Sequence, residues 1–135
     1  MYLLDTNVIS ETRRARPHGA VLQWIEAAPS ESLHLSTVSL GELQAGVEKV
    51  RSSDPEKASE LEAWIDGLAR SYSILSLGDD AFRLSARLMH RRPRHLVEDA
   101  MIAATALVKG LKVATRNVKD FEPFGVETVN PFAFA

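Results

Sequence analysis

Tyr2-Leu3-Leu4-Asp5-Thr6-Asn7-Val8 opens with a short apolar run stopped by a carboxylate and two polar residues of the kind that end a strand and cap a helix. Val8 to Arg14 then reads as that helix, so the first unit is strand, carboxylate, helix. The same plan recurs downstream. Pro17 suits a helix start, and Val21, Trp24, Ile25 and Ala28 return at helical spacing until Pro29. Leu33 to Ser36 is a brief strand, followed by a stripe of Leu40, Leu43, Val47 and Val50 on one helical face. The turn Ser52-Ser53-Asp54-Pro55 leads into a second stripe, Leu61, Trp64, Ile65 and Leu68, which predicts an antiparallel helical hairpin. Ser73 to Leu77 suits a strand. Asp79-Asp80 stand at the acidic start of a helix running to about Arg92, ended by Pro93. From Asp99 to Val108 the helix is apolar on nearly every side, which predicts burial against a sheet. Gly110 closes it, and Lys112 to Thr115 and Glu127 to Val129 supply the last strands. Alternation of this kind specifies an α/β fold with a central parallel sheet flanked by helices on both faces.

The 135 residues, 45% hydrophobic and 25% charged, suit a single domain over 1–135 with a genuine core. A net charge of -2 disfavours a whole-surface hold on nucleic acid or anionic membrane, so a basic surface must be local. The absence of cysteine excludes disulfide scaffolds, thiol nucleophiles and cysteine-ligated metals, and is compatible with a reducing cytoplasm. No run reaches the roughly 20 apolar residues of a membrane span, and the start shows no basic leader. The expectation is a cytoplasmic protein with no membrane partner.

In open parallel sheets, ligands bind beyond the carboxyl ends of the strands. Asp5 follows the first strand, Glu42 lies near the start of the helix after the second, Asp99 begins the buried helix, and Asn117 and Asp120 follow the strand at Thr115. Carboxylates gathered there would repel one another and take up protons unless a cation held them ionised. Hard oxygen donors suit Mg²⁺ or Mn²⁺, and such an ion suits phosphodiester hydrolysis. Taken singly, each acid reads equally as a helix cap or a solvated residue.

Four stretches sharpen the choice: Leu3-Leu4-Asp5-Thr6-Asn7-Val8-Ile9-Ser10, Ser39-Leu40-Gly41-Glu42-Leu43, Glu98-Asp99-Ala100-Met101-Ile102-Ala103-Ala104-Thr105-Ala106, and Ala114-Thr115-Arg116-Asn117-Val118-Lys119-Asp120-Phe121. In order and spacing they resemble the four motifs of PIN-domain proteins, and are most similar to VapC toxins of type II toxin–antitoxin pairs, including the FitB-like branch. The resemblance implies a PIN-like fold and an Mg²⁺- or Mn²⁺-dependent endoribonuclease acting on RNA. It also implies a cognate VapB-type antitoxin, contact with DNA only through that antitoxin, and a homodimer or higher toxin–antitoxin assembly. Asp5, Glu42 and Asp99 match the family's central metal-binding acids. Asn117 falls where many relatives carry the fourth acid, and Asp120, three residues on, can supply the missing charge. Thr6 and Thr115 are placed to hydrogen-bond a ligand, a water or a phosphate, or to cap a turn. The neutral Asn117 also keeps open a weakly catalytic or non-catalytic PIN-like partner of a DNA-binding antitoxin in transcriptional repression. A metal-dependent DNase is a third reading.

Arg83, Arg87 and Arg91 recur at i, i+4, i+8, and no acid occurs from Ala81 to Val97. The stripe is either a track for RNA phosphates or a solvated face. Arg13, Arg14 and Arg16 offer a second basic cluster. The four histidines lack paired metal spacing, Gly41 and Gly46 do not make a phosphate loop, and Trp24 and Trp64 sit at core or interface positions. The Leu61 to Leu68 face is a candidate surface for an antitoxin tail.

Overall fold

The structure is a computed structural model that describes residues 1–134. Its centre is strand β1 (Tyr2–Leu4), flanked by β2 (Leu33–Ser36) and β4 (Lys112–Ala114), with β3 (Ser73–Leu75) and β5 (Thr128–Val129) outside them. All four pairings are parallel, in the order β3-β2-β1-β4-β5. The order reverses between β1 and β4, because the chain adds β2 and β3 on one side before crossing to the other. That crossing opens a crevice at the carboxyl ends of the two strands.

The two-residue period of β1 divides the core. Leu3 faces a cluster with Ala100, Ile102, Ala103 and Ala106 of helix α6 (Val97–Lys109), closed by Val113, Phe121 and Phe124. Leu4 faces the other way, toward Val8 and Ile9 of α1 (Thr6–Ile9), Val21 and Trp24 of α2 (Gly19–Ala27), and Leu35. The alanines of α6 let its backbone lie close to the sheet, and all four at 100, 103, 104 and 106 have no exposed surface. Gly110 ends this helix at φ 70°, a left-handed conformation that costs other residues a steric penalty. A third cluster zips α3 (Thr37–Arg51) to α4 (Pro55–Ser71) through Val47, Ala58 and Ile65, forming the expected hairpin. Its turn is capped by Asp54, whose carboxylate accepts from the Lys57 N–H. The remaining helices are α5 (Asp79–Leu88) and the short α7 (Val118–Phe121).

Several boundaries differ from the sequence reading. The first helix starts at Thr6, directly after the Asp5 cap, and tightens into a 3-10 turn over Ser10–Arg13 where a helix to Arg14 was expected. The second begins at Gly19, two residues beyond Pro17. β3 ends at Leu75 instead of Leu77, β4 at Ala114 instead of Thr115, and β5 lacks Glu127. Helix α5 stops at Leu88 and does not reach Arg92, because Pro93 disfavours helical backbone in the residue before it and Arg91 adopts φ 61°. Arg83 and Arg87 therefore share a helix, while Arg91 stands beyond its end, and the expected three-residue stripe is broken.

Candidate active site

Asp5 lies at the crevice between β1 and β4, only 4% exposed. Its carboxylate is held on both oxygens and keeps an acceptor site on Oδ1: Oδ1 accepts from the Thr6 N–H at 2.8 Å, and Oδ2 from Thr115 Oγ1 at 2.8 Å and Asn7 Nδ2 at 3.1 Å. Burial raises its proton affinity, while these three donors oppose the rise. Thr115 is fully buried, so its hydroxyl faces the carboxylate and not solvent. The strand-to-helix turn thus serves two ends at once, capping α1 and fixing the direction of a charge.

Glu42 arrives from α3, on the turn following its N-terminus. Thr6 Oγ1 donates to Glu42 Oε1 at 2.8 Å, and Ser39 Oγ lies 3.0 Å from the same threonine oxygen. A hydroxyl carries one proton, so while Glu42 is ionised Ser39 must be the donor in that second pair. Ser36, the cap of α3, accepts from the Ser39 N–H at 3.1 Å, and its hydroxyl lies 3.4 Å from Ser39 Oγ. Both serines are completely buried. A hydroxyl chain therefore runs from the end of β2 to Glu42. Burial raises the proton affinity of Glu42 and Thr6 lowers it, with Asp5 and Glu98 repelling its charge.

Asp99 sits in the first turn of α6, half-buried, with its pKa pushed up to about 7 by burial and then by repulsion from Asp5, Asp120, Glu42 and Glu98. Asp5, Glu42 and Asp120 thus lie within electrostatic reach of Asp99, at the mouth of one acidic basin. Asp120, in the first turn of α7, bears on both Asp5 and Asp99. Asn117 is exposed; its N–H donates to Thr115 Oγ1 at 2.9 Å and its carbonyl accepts from Asp120 N at 3.0 Å, holding the turn. Of the two candidates for the fourth position, Asp120 stands in the basin's field. Among the described residues, no three His, Asp or Glu side chains already close around one point. The donor set is nonetheless all oxygen and all anionic, which fits a hard divalent cation and no soft one.

Arg83 and Arg87 are exposed on α5, and Arg91 is exposed beyond it. Trp24 is buried in the core with Tyr2 at 5.0 Å in an edge-on pair, whereas Trp64 is half-buried beneath the Arg13 guanidinium at 5.8 Å. Trp64 lines a cleft of about 210 Å³ with Leu61, Ile65, Leu43 and Arg13, and Glu42 forms part of its wall. Sequence reasoning missed Asn7, Ser36, Ser39 and the buried Glu11, whose Oε1 accepts from the His18 N–H at 3.0 Å. Glu11 had no signal of its own. Ser39 did have one, since it precedes Glu42 by one helical turn and so shares its face.

An acidic basin at the reversal point of an open parallel sheet, entered by helices from both faces, defines the class: a doubly wound α/β protein with a carboxylate site. The chain belongs to the PIN-domain family, whose pattern it matches over residues 2–123. It is 38% identical to plasmid stability protein StbB of Pseudomonas syringae, over 98% of this chain and 99% of that one. It is 35% identical to VapC ribonuclease Y4jK of Sinorhizobium fredii, over 98% of each. Among solved structures, FitAB bound to a DNA fragment superposes with a TM-score of 0.85 at 28% identity, over 100% of this chain and 98% of that one.

Proposed function

We propose that the protein is a divalent-metal-dependent endoribonuclease toxin held in check by a cognate antitoxin. The observation that carries this reading is the carboxylate basin itself, in which hydrogen-bond donors hold Asp5 and Glu42 while burial and repulsion by its acidic neighbours raise the pKa of Asp99. Asp5, Glu42, Asp99 and Asp120 would hold Mg²⁺ or Mn²⁺. Thr115, Asn7 and Thr6 orient the carboxylates, and Asn117 braces the turn that presents Asp120. When bound, the cation supplies a more acidic water and neutralises charge building on a phosphodiester. The buried donors to Asp5 and Glu42 keep those carboxylates aimed without reorganisation, which is the protein's own contribution to catalysis. Kinship with a protein named VapC ribonuclease supports RNA as substrate. The FitAB likeness supports an antitoxin partner through which DNA is reached.

The homodimer is part of the same proposal, and an exposed groove of about 360 Å³ between α5 and α6, lined by Phe82, Met89, Val97 and Met101 together with Arg92 and Arg94, is the surface it would use. The position of Asp120 favours catalysis over a purely repressive role, since the neutral Asn117 no longer leaves the basin short of a fourth charge. The purified chain, freed of any partner, should cleave RNA in Mg²⁺ or Mn²⁺ and stop in excess chelator. Asp99→Asn should lower cleavage roughly a hundredfold or more with the melting temperature preserved. Near-normal cleavage by that variant, or full activity in chelator, would sink the proposal.

A further inference from the structure

We propose that Arg116, stacked on Phe132, is a binding site for a phosphodiester of the RNA strand beside the acidic basin. The inference rests on the ribonuclease reading above and specifies how that site would hold its substrate. Arg116 follows Thr115, so it leaves β4 at the crevice. Its N–H donates to Asn7 Oδ1 at 3.2 Å, and Asn7 Nδ2 donates in turn to Asp5 Oδ2 at 3.1 Å. Two hydrogen bonds thus tie the backbone of this arginine to the most buried carboxylate of the basin.

The side chain is held as well. Its guanidinium carbon lies 4.4 Å from the centre of the Phe132 ring, close enough for a cation–π contact. Phe132 is itself fixed: its N–H donates to Asn130 Oδ1 at 3.0 Å, and His18 packs edge-on against it at 5.2 Å. Stacking occupies a face of the guanidinium and leaves the in-plane N–H groups free, the geometry that grips two phosphate oxygens together. Arg116 is exposed and makes no ion pair among the described residues, although Asp120 lines the same cleft. With Asn117, Lys119, Asp120 and Asn130 it lines a shallow cleft of about 380 Å³. Asp120 joins this cleft to the basin, so a strand crossing the basin would meet a pre-set cation next to it. An acidic protein that must approach a polyanion needs such a fixed positive group near its site.

The test uses the full chain and a fluorescent single-stranded RNA, with cleavage kinetics in Mg²⁺ and binding measured in an Asp99→Asn background to keep the strand intact. Arg116→Gln should raise KM about tenfold with kcat little changed. It should also flatten the salt dependence of binding by about 0.7 log units per log of salt. Phe132→Leu keeps the charge and loses the backing, so KM should rise about threefold with the salt slope retained. Arg116→Lys should likewise retain the slope but not the wild-type KM. Melting temperatures near that of the parent confirm that the variants fold. If the parent cleaves RNA while Arg116→Gln leaves KM and slope untouched, the subsite is wrong and the nuclease reading stands. Weaker binding with an unchanged slope would point to base stacking and overturn the phosphate assignment. A parent that neither binds nor cleaves RNA overturns both.

Discussion

Asp99 concentrates the physics of the site in one carboxyl group. Its pKa in the folded protein is about 7 against an ordinary value of 3.8, so the native state binds a proton that the unfolded chain releases between those values. The metal-free protein should therefore lose stability as pH rises from about 4 to 7 and lose no more from this group above that. A divalent cation reverses the penalty, because it prefers the ionised form. At a hundredfold excess over its Kd it adds about 2.7 kcal/mol, roughly 10 °C in Tm for a chain of this size. The difference between Mn²⁺-loaded and chelated melting curves should thus grow from pH 5.5 to pH 8, and Asp99→Asn should remove most of that growth. A metal-induced shift independent of pH would show that Asp99 does not meet the ion. Asp5, Glu42 and Asp99 were legible in sequence because they fall at or near the starts of helices and within the stretches that resemble the PIN-domain motifs. The choice between Asn117 and Asp120 was not, since it depends on how a four-residue helix turns after β4. The role of Asn7 was equally hidden, and Thr115 was picked out for a ligand where it in fact donates to Asp5, because a short polar side chain near a cap looks the same whether it serves the backbone or a distant carboxylate.

At the scale of elements, α6 shows why the fold could be read so fully. A helix apolar on nearly all sides has one stable place, against a sheet, and its alanines select a close approach; the parallel pairing followed from alternation, while the strand order did not. Helix α5 shows where reading failed. Its arginines keep a helical period past the point where the backbone can follow, since Pro93 constrains Arg92 and Arg91 leaves the helical region. Side-chain spacing continued where the backbone hydrogen bonds had tightened from helical ones into three-residue turns, His90 N–H to the Arg87 carbonyl at 3.3 Å and Arg92 N–H to that of Met89 at 3.0 Å. Arg92 instead folds back, its Nε donating to the Leu88 carbonyl at 3.2 Å and its Nη2 to that of Pro123 at 3.3 Å. Arg83 and Arg87 remain one coherent face and carry the expectation of phosphate contact by themselves. If both touch the RNA backbone, the double Arg→Gln variant should flatten the salt dependence of binding by about 1.4 log units per log of salt, twice the single-strand increment. Binding should weaken alike for all sequences. An unchanged slope would leave α5 as a solvated face and Arg116 as the nearer phosphate contact.

For the whole molecule, the basin and the hairpin cleft are one continuous surface, because Glu42 belongs to both. The cleft is apolar, floored by Leu43 and Val47 of α3 and walled by Leu61, Trp64 and Ile65 of α4, with Arg13 over the indole. This is the Leu61 to Leu68 face expected to receive an antitoxin tail, although Leu68 itself faces inward to the sheet cluster. A tail with an apolar anchor in the cleft could deliver an Arg or Lys into the basin, where paired carboxylates would grip a guanidinium as readily as a metal ion. Anchor and charge then separate experimentally. Raising Mn²⁺ should weaken inhibition, since cation and tail contest the same carboxylates. Glu42→Gln should loosen the complex from the charged end. Trp64→Ala should loosen it from the apolar end by roughly tenfold or more while leaving the Mn²⁺ affinity of the free protein unchanged, as expected when a half-buried aromatic anchor is lost. Titrating Mn²⁺ into the co-expressed complex, with dissociation of toxin from antitoxin as the signal, measures all three, and release of cleavage adds a second readout for the parent and Trp64→Ala. Association insensitive to Mn²⁺ and to Glu42→Gln, yet abolished by Trp64→Ala, would place the tail in the cleft alone, blocking RNA from outside the basin and never touching the carboxylates.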